Sequence, residues 1–209
     1  MIAAARSFTR RVPMPVLASG SAIRLQLLHA AGVPVTASPV DVDEDALRRQ
    51  AEAQGLSLRD TALALAQAKA EAASGQHPGR FIIAADQILE LEGRAFAKPA
   101  DLTEARTHLL ALRGRTHALH AAVTLWRDGQ PLWSHISSPT LTMRSFSEVF
   151  LDDYLQKEGN VLLSCVGCYR IEGLGIQLFD TVTGSSDAIA GLPLIPLLAA
   201  LRQHGILPG

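Results

Sequence analysis

Cysteine and aromatic residues are scarce in this chain, which has two cysteines in 209 residues and 5% aromatics. Two cysteines cannot build the disulfide framework of a small secreted scaffold, so we expect a reducing, cytoplasmic location. The longest apolar run, residues 188–201, is too short to span a membrane and contains two prolines, so no membrane partner is expected. The formal net charge of −1 gives no reason to expect a nucleic-acid partner. An anionic substrate would therefore have to be met by local cations.

The two ends of the chain differ in character. Residues 1–12 contain three arginines and no acid, which superficially resembles a transit peptide but equally fits a start codon assigned too early, with Met14 the true start. We expect residues 1–13 to be a disordered tail. The 209 residues are enough for one large or two small domains with a sizeable core, and the overall content of 48% hydrophobic residues fits a soluble globular protein. We assign residues 14–209 to a single domain.

The first motif is a strand, a small-residue turn and a helix. Residues 15–18 are apolar, Ser19-Gly20-Ser21 follow, and a helix is predicted from 22 to 31. The free N–H groups of a helix N-terminus bind anions, and Ser19, Ser21 and Arg24 would add hydroxyl and guanidinium donors. An ordinary N-cap serine with a solvated arginine explains the same residues.

An acidic segment and a helical lysine come next. Residues 33–40 predict a second strand, and residues 41–45 contain four acids, among them Glu44, before a short helix over 46–54. These acids fit either a solvated loop favoured by the helix dipole or a ligand set for Mg²⁺ or Mn²⁺. Ser57 begins a helix that runs to about residue 73, and Lys69 falls on its apolar stripe. Lys69 is therefore predicted either to snorkel or to enter a cleft.

The chain centres on residues 81–99. An apolar strand leads to Asp86, alternation continues to residue 91, Glu92-Gly93 make a turn, and a return strand ends at Lys98-Pro99. A carboxylate in or at the end of a buried strand is expensive without a metal or a cation nearby. The hairpin is long enough to bring Lys98 back towards Asp86, although a lone strand-end aspartate with a surface lysine remains an alternative.

The remaining segments predict further helices and strands. Helices are predicted over residues 101–112 and 147–158 and from 191 to about 204, and strands over 116–127, 130–143 and 176–179, with 184–187 as a polar loop. Asp128-Gly129 is a hairpin signal. The pair Cys165 and Cys168 fits two buried small residues better than a redox motif or half a zinc site. A structural zinc would also need histidines such as His117 and His120.

Together these segments resemble the Maf family of nucleoside triphosphate pyrophosphatases, once described as septum-formation inhibitors. The resemblance runs from about residue 15 to 206. Seven short motifs occur in the family's order, at residues 17–28, 42–44, 66–70, 85–87, 98–99, 169–175 and 191–194. The resemblance implies an α/β protein of Maf/ITPase-like fold, with an elongated mixed sheet, two lobes and a central cleft. It also implies a single catalytic domain over residues 14–209 and a homodimer.

The resemblance also implies hydrolysis of a nucleoside triphosphate between the α- and β-phosphates, with a divalent cation. The residues fit this chemistry, which needs cations for the oxyanions, a metal and a base. Phosphate binding is assigned to Ser19, Ser21, Arg24, Lys69 and Lys98, metal ligation to Glu44 and Asp86, and base recognition to Gln87 and Glu172. Asp86, Lys69 and Lys98 form the catalytic set, with Asp86 as the base or else as the ligand of the metal that lowers the water's pKa.

Two departures from the family pattern bear on substrate. Residues 22–24 read Ala-Ile-Arg where the family usually has Pro-Arg-Arg, so phosphate binding depends more on the remaining cations. Gln87, Glu172 and Cys165 look like the branch associated with 7-methyl-GTP, although Cys168-Tyr169 replaces its usual Ser-Phe. Two alternatives remain: the same chemistry on UTP, dTTP or non-canonical nucleotides, and a non-catalytic nucleotide-binding regulator of cell division.

Overall fold

The computed structural model describes residues 13–209. The predicted N-terminal tail therefore lies, apart from Pro13, outside the described residues. Eight strands form a single mixed sheet in the order β2-β1-β3-β5-β7-β8, with β4 added to β3 and β6 to β5. The strands are β1 Val16–Leu17, β2 Thr36–Ala37, β3 Phe81–Leu91, β4 Arg94–Phe96, β5 Thr116–Arg127, β6 Gln130–Ser137, β7 Thr140–Met143 and β8 Phe179–Thr183. Only the β1–β2 and β1–β3 pairs are parallel.

Two long antiparallel strands connect the two lobes of the molecule. Near its start β3 pairs with β1, through Ile82 and Ile83, and its last residues pair with β4. Strand β5 pairs with β6 and β7 along different parts of its length. One hydrophobic core contains Leu17, Leu28 and Ile83, and a second contains Leu89, Leu119 and Leu141. The fold is thus the expected elongated mixed sheet with two lobes.

Seven α-helices of the described chain cover this sheet. They are α1 Ala22–Ala30, α2 Glu44–Ala53, α3 Leu58–Gln76, α4 Leu102–Leu112, α5 Glu148–Glu158, α6 Ser186–Ile189 and α7 Leu194–Gln203. The side chains of Asp43, Ser57, Asp101 and Ser147 accept hydrogen bonds from backbone N–H groups in the first turns of α2, α3, α4 and α5. None of the helices over residues 13–209 is long and apolar enough to cross a bilayer.

Four sequence-based assignments were wrong. The strand predicted over 130–143 is two strands, β6 and β7, because Pro139 between them cannot donate a ladder hydrogen bond. The strand predicted over 176–179 starts only at Phe179, since Leu174–Leu178 form a 3₁₀ helix. The strand predicted over 33–40 is reduced to β2, and the predicted loop at 184–187 contains the start of α6.

Candidate active site

A cleft of about 990 Å³ lies between the two lobes. Its walls come from the N-terminal end of α1, the first turn of α2, the inner face of α3, the middle of β3 and the segment 161–172. All nine residues expected at the site line this cleft: Ser19, Ser21, Arg24, Glu44, Lys69, Asp86, Gln87, Lys98 and Glu172. Their roles remain predictions, but their common location follows from the fold.

A chain of three charged side chains lies at the base of the cleft. Asp86 occupies the middle of β3, not its end, and is 5% exposed. Because alternate residues of a strand face opposite sides, Asp86 shares the face of Ile82 and Ala84, which packs against α3. From α3, the Lys69 Nζ lies 2.5 Å from Asp86 Oδ1 and 2.7 Å from Glu44 Oε1. Lys69 therefore enters the cleft and bridges two carboxylates.

Glu44 and Asp86, the two carboxylates that Lys69 bridges, differ in their surroundings. Partial burial raises the pKa of Glu44, but its hydrogen bond to Lys69 and the charges of Lys69 and Arg48 outweigh that effect and hold the pKa below its usual value. Asp86 is more deeply buried, and its Oδ2 has no hydrogen-bond partner among the described residues. A buried, unpaired carboxylate oxygen that lines a cleft is a suitable ligand for a hard cation, so Asp86 and Glu44 fit the implied metal.

The N-terminal end of α1 forms a second wall, where Ser21 occupies the N-cap position without capping the helix through its side chain. The Arg24 guanidinium donates hydrogen bonds to the Ala85 carbonyl (2.7 Å), the Gly191 carbonyl (2.9 Å) and Ser19 Oγ (3.2 Å). Burial lowers the pKa of Arg24, although the charges of Asp86 and Glu44 act in the opposite direction. An arginine remains charged in this setting, so Arg24 presents a fixed positive charge to the cleft.

Gln87 and Lys98 differ in the contacts that their side chains make with the rest of the described chain. Gln87 Nε2 donates to the carbonyls of Ala188 (3.1 Å) and Ile189 (3.0 Å), so its role in base recognition depends on the side-chain oxygen. Lys98 returns to the cleft through the β3–β4 hairpin as expected. The ammonium that pairs with Asp86 is nevertheless that of Lys69, and Lys98 is exposed, with no ion pair to any described residue.

The opposite wall contains Glu172, which is exposed and has no hydrogen bond or ion pair within the described chain. Glu172 does not pair with the nearby Arg170, because Arg170 binds Glu158 instead. The Arg170 guanidinium donates two hydrogen bonds to Glu158 Oε2, at 3.1 and 2.8 Å, and the Glu158 side chain is 3% exposed. This pair, in which Glu158 is buried and Arg170 is partly exposed, anchors the segment that carries Glu172 and leaves the Glu172 carboxylate free to contact a ligand.

Sequence reasoning missed two contributors to the site. Arg48 lines the cleft and lies 3.5 Å from Glu44, one helical turn away; the i,i+4 spacing on α2 was the available signal. Glu158, at the end of α5, accepts a hydrogen bond from Arg170, twelve residues later in the chain. It thereby supports the segment that carries Glu172. No sequence signal identified that contact, because it depends on how α5 packs beside the loop.

The two histidines considered as zinc ligands lie outside the cleft and make hydrogen bonds to other side chains. His117 Nε2 contacts the Tyr169 hydroxyl at 2.7 Å, and His120 lies between Glu90 (2.7 Å) and Ser138 (2.9 Å). Over residues 13–209 there is no group of three or more His, Cys, Asp or Glu arranged to hold a metal. Any cation in the cleft would therefore need ligands beyond Glu44 and Asp86, such as substrate oxygens or water.

Known proteins resemble this chain over almost its whole length. A family model described as Maf-like protein matches residues 15–204. A nucleoside triphosphate pyrophosphatase from Gluconobacter oxydans is 55% identical, over 92% of this chain and 95% of the relative. A 7-methyl-GTP pyrophosphatase from Mesorhizobium japonicum is 47% identical, over 93% of this chain and 98% of the relative.

Among solved structures, a nucleoside-triphosphatase described as a dITP/XTP pyrophosphatase from Mycobacterium abscessus matches 92% of this chain and 97% of its own. Its sequence identity is 17% and its TM-score 0.41. The fold therefore rests on the sheet order and pairing of this chain itself.

Proposed function

The chain belongs to the Maf family, and we propose that it hydrolyses nucleoside triphosphates at the α–β bond to the monophosphate and pyrophosphate. The observation that carries the proposal is the base of the cleft, where the buried, unpaired Asp86 Oδ2 lies beside a positively charged wall. Phosphoryl chemistry needs this combination of a proton acceptor and fixed cations. The names of the relatives point to the same activity.

In the proposed reaction the triphosphate lies along the wall formed by the α1 N-terminus, Arg24 and Lys98. These groups neutralise phosphate oxygens and orient the α-phosphorus towards Asp86. Asp86 takes a proton from a water molecule as the water oxygen attacks that phosphorus. The bond to the bridging oxygen of the β-phosphate then breaks, and pyrophosphate leaves with the bonding electrons.

A divalent cation fits the same carboxylates. Glu44 and Asp86 would hold Mg²⁺ or Mn²⁺, which suit carboxylate oxygens. When bound, such a cation supplies charge neutralisation on the phosphates and lowers the pKa of bound water. The orienting role of Arg24 does not depend on it, because the guanidinium is fixed by three protein acceptors.

A nucleotide panel tests the proposal. Each triphosphate is incubated with Mg²⁺ or Mn²⁺, and phosphate is measured with and without added inorganic pyrophosphatase. Cleavage at the α–β bond yields phosphate only when the added enzyme is present. Phosphate that appears without it would instead indicate removal of the terminal phosphate. If neither appears for any nucleotide, the non-catalytic regulator becomes the better reading.

Within the panel we propose 7-methyl-GTP as a preferred substrate. The Glu172 carboxylate has no hydrogen-bond or ion-pair partner among residues 13–209 and offers two acceptors, which match the adjacent N1–H and N2–H donors of guanine. Methylation at N7 places positive charge on the ring and strengthens that pairing. UTP and dTTP present a donor flanked by acceptors and fit a carboxylate less well. Higher kcat/KM for 7-methyl-GTP than for both pyrimidine nucleotides is the expected result.

We also propose a homodimer and a cytoplasmic location. Family resemblance supports the dimer, and the two free cysteines fit a reducing compartment. Light scattering on the purified protein across a concentration series decides the oligomeric state, and a single mass of about 22 kDa would contradict the dimer.

A further inference from the structure

The Lys69 ammonium occupies the point that the two proposed metal ligands share. It lies 2.5 Å from Asp86 Oδ1 and 2.7 Å from Glu44 Oε1, and it is only 13% exposed. An ammonium and a divalent cation compete for such a pair, because each is bound by the same carboxylate charge. The arrangement is therefore a carboxylate pair already neutralised in part by the protein's own cation.

The surroundings add to this competition. Arg48 lies 3.5 Å from Glu44, and Arg24 presents a further positive charge near both acids. Three cations thus act on two carboxylates in the free cleft. Electrostatic repulsion from them opposes entry of a bare divalent cation. A triphosphate reverses the balance, since its oxygens bring several negative charges and attract the cationic side chains.

We infer that Lys69 is the resident counterion of the Glu44–Asp86 pair and excludes a divalent cation from the free protein until a triphosphate draws its ammonium away. The inference rests on the proposed function. The long, flexible lysine stem allows Nζ to turn from the carboxylates to phosphate oxygens. Metal binding and nucleotide binding then favour each other, because each removes an electrostatic repulsion that opposes the other. The metal enters as a companion of the nucleotide.

Manganese binding to the nucleotide-free protein tests this directly. The bound fraction is measured by electron paramagnetic resonance of free Mn²⁺ in the wild type and in Lys69→Met, which keeps the length of the side chain and removes its charge. We expect the wild type to bind more weakly than about 10⁻³ M, the weak end of protein sites for divalent cations. Lys69→Met should bind on the order of 10- to 100-fold more tightly.

Two matched variants separate a direct counterion from a general charge effect. Lys98→Met removes a cleft cation that contacts neither carboxylate, and Arg48→Met removes one that lies near Glu44 alone. Lys98→Met should leave Mn²⁺ affinity nearly unchanged, and Arg48→Met should raise it less than Lys69→Met. Equal tightening in all three variants would overturn the inference, as would no tightening in Lys69→Met, because the metal would then bind at Asp86 Oδ2 with Lys69 in place.

If Lys69→Met does not fold, the Mn²⁺ affinity of the wild-type protein still tests the inference. Micromolar Mn²⁺ affinity in the free wild-type protein would overturn the inference without any variant. Because these titrations contain no nucleotide, they are independent of the hydrolysis assay. Pyrophosphate release with no effect of Lys69→Met on metal affinity would remove the inference alone. Tighter Mn²⁺ binding in Lys69→Met with no hydrolysis of any nucleotide would remove the proposed function alone.

Discussion

Two buried side-chain atoms in residues 13–209 have no hydrogen-bond partner, Asp86 Oδ2 and His117 Nδ1, and their surroundings differ. Asp86 faces a cleft lined by several cations, with one of its oxygens on Lys69. His117 lies beside the rings of Tyr169, which belongs to the core that contains Leu89, Leu119 and Leu141, and of Phe179, which packs against that core. It also lines a small pocket of about 260 Å³. The first is a charged group placed where a ligand can reach it, while the second is a neutral ring packed among aromatics.

The comparison shows that lack of a partner has two different meanings. A carboxylate oxygen left without a hydrogen bond in a cleft lowers the stability of the ligand-free protein. That stability is regained when substrate or metal binds to the oxygen. A neutral ring nitrogen costs less to leave unpaired, but it resists protonation, so the cost reappears at low pH. Asp86 should therefore control activity, and His117 should control stability. The predictions below test this division in order of decreasing effect.

The largest effect is expected from Asp86→Asn, which keeps the shape of the side chain and removes its charge. Loss of a base or metal ligand should lower kcat by on the order of 10²–10⁴-fold, with circular dichroism and melting temperature close to wild type. His117→Gln is the matched control and should retain wild-type kcat. Near wild-type turnover in a folded Asp86→Asn protein would remove Asp86 from the chemistry.

The cations of the cleft should act on all nucleotides alike. Lys98→Ala removes a charge that pairs with no acidic group of residues 13–209, so the loss should appear only with substrate. A charge-assisted hydrogen bond contributes about 1.5–3 kcal/mol, which predicts a fall in kcat/KM of roughly 10- to 150-fold for every nucleotide, because phosphates carry no base information. A variant that changes the ratio between nucleotides and leaves the general rate intact would place Lys98 in the base pocket.

Glu172→Gln should change discrimination more than rate. Replacing two acceptors by one donor and one acceptor should lower kcat/KM for 7-methyl-GTP relative to UTP by about 10- to 100-fold. Glu71→Gln makes the same chemical change on an exposed part of α3 away from the cleft and should leave the ratio unchanged. If Glu172→Gln also leaves it unchanged, Glu172 does not read the base.

The gathering of the cleft residues was predictable because their short motifs together resemble one family. The local pattern alone left an alternative open at each motif, as for Lys69 in the interior of α3. The partners of those residues were not predictable. Arg24 is held by Gly191, which is 167 positions away, and such contacts depend on the packed fold. The strand predicted at 176–179 was wrong because residues 174–178 form a 3₁₀ helix. A Cβ at Gly175 would lie 2.5 Å from the carbonyl oxygen of Arg170, five residues earlier, so the backbone turns tightly just before this helix. The interruption at Pro139, in contrast, had a local signal.

His117 should make the protein less stable in mild acid. Burial lowers the pKa of His117 to about 4, below the value of about 6.5 expected in the unfolded chain. Between these values the unfolded state binds a proton that the folded state does not, so stability is full above pH 6.5 and falls as the pH decreases towards 4. Between pH 7.5 and 5 the contribution of His117 is a loss of about 2 kcal/mol in the free energy of unfolding.

Urea unfolding of the wild type and His117→Gln at both pH values measures this loss. Other groups also destabilise the protein in acid, among them His135, whose pKa is lowered by burial and by the charge of Arg59. The difference between the two proteins cancels those shared contributions, so His117→Gln should lose about 2 kcal/mol less than the wild type. His29→Gln changes an exposed histidine and should follow the wild type. Parallel losses in the wild type and His117→Gln would show that His117 takes up its proton in the folded state, and the contrast with Asp86 would then rest on activity alone.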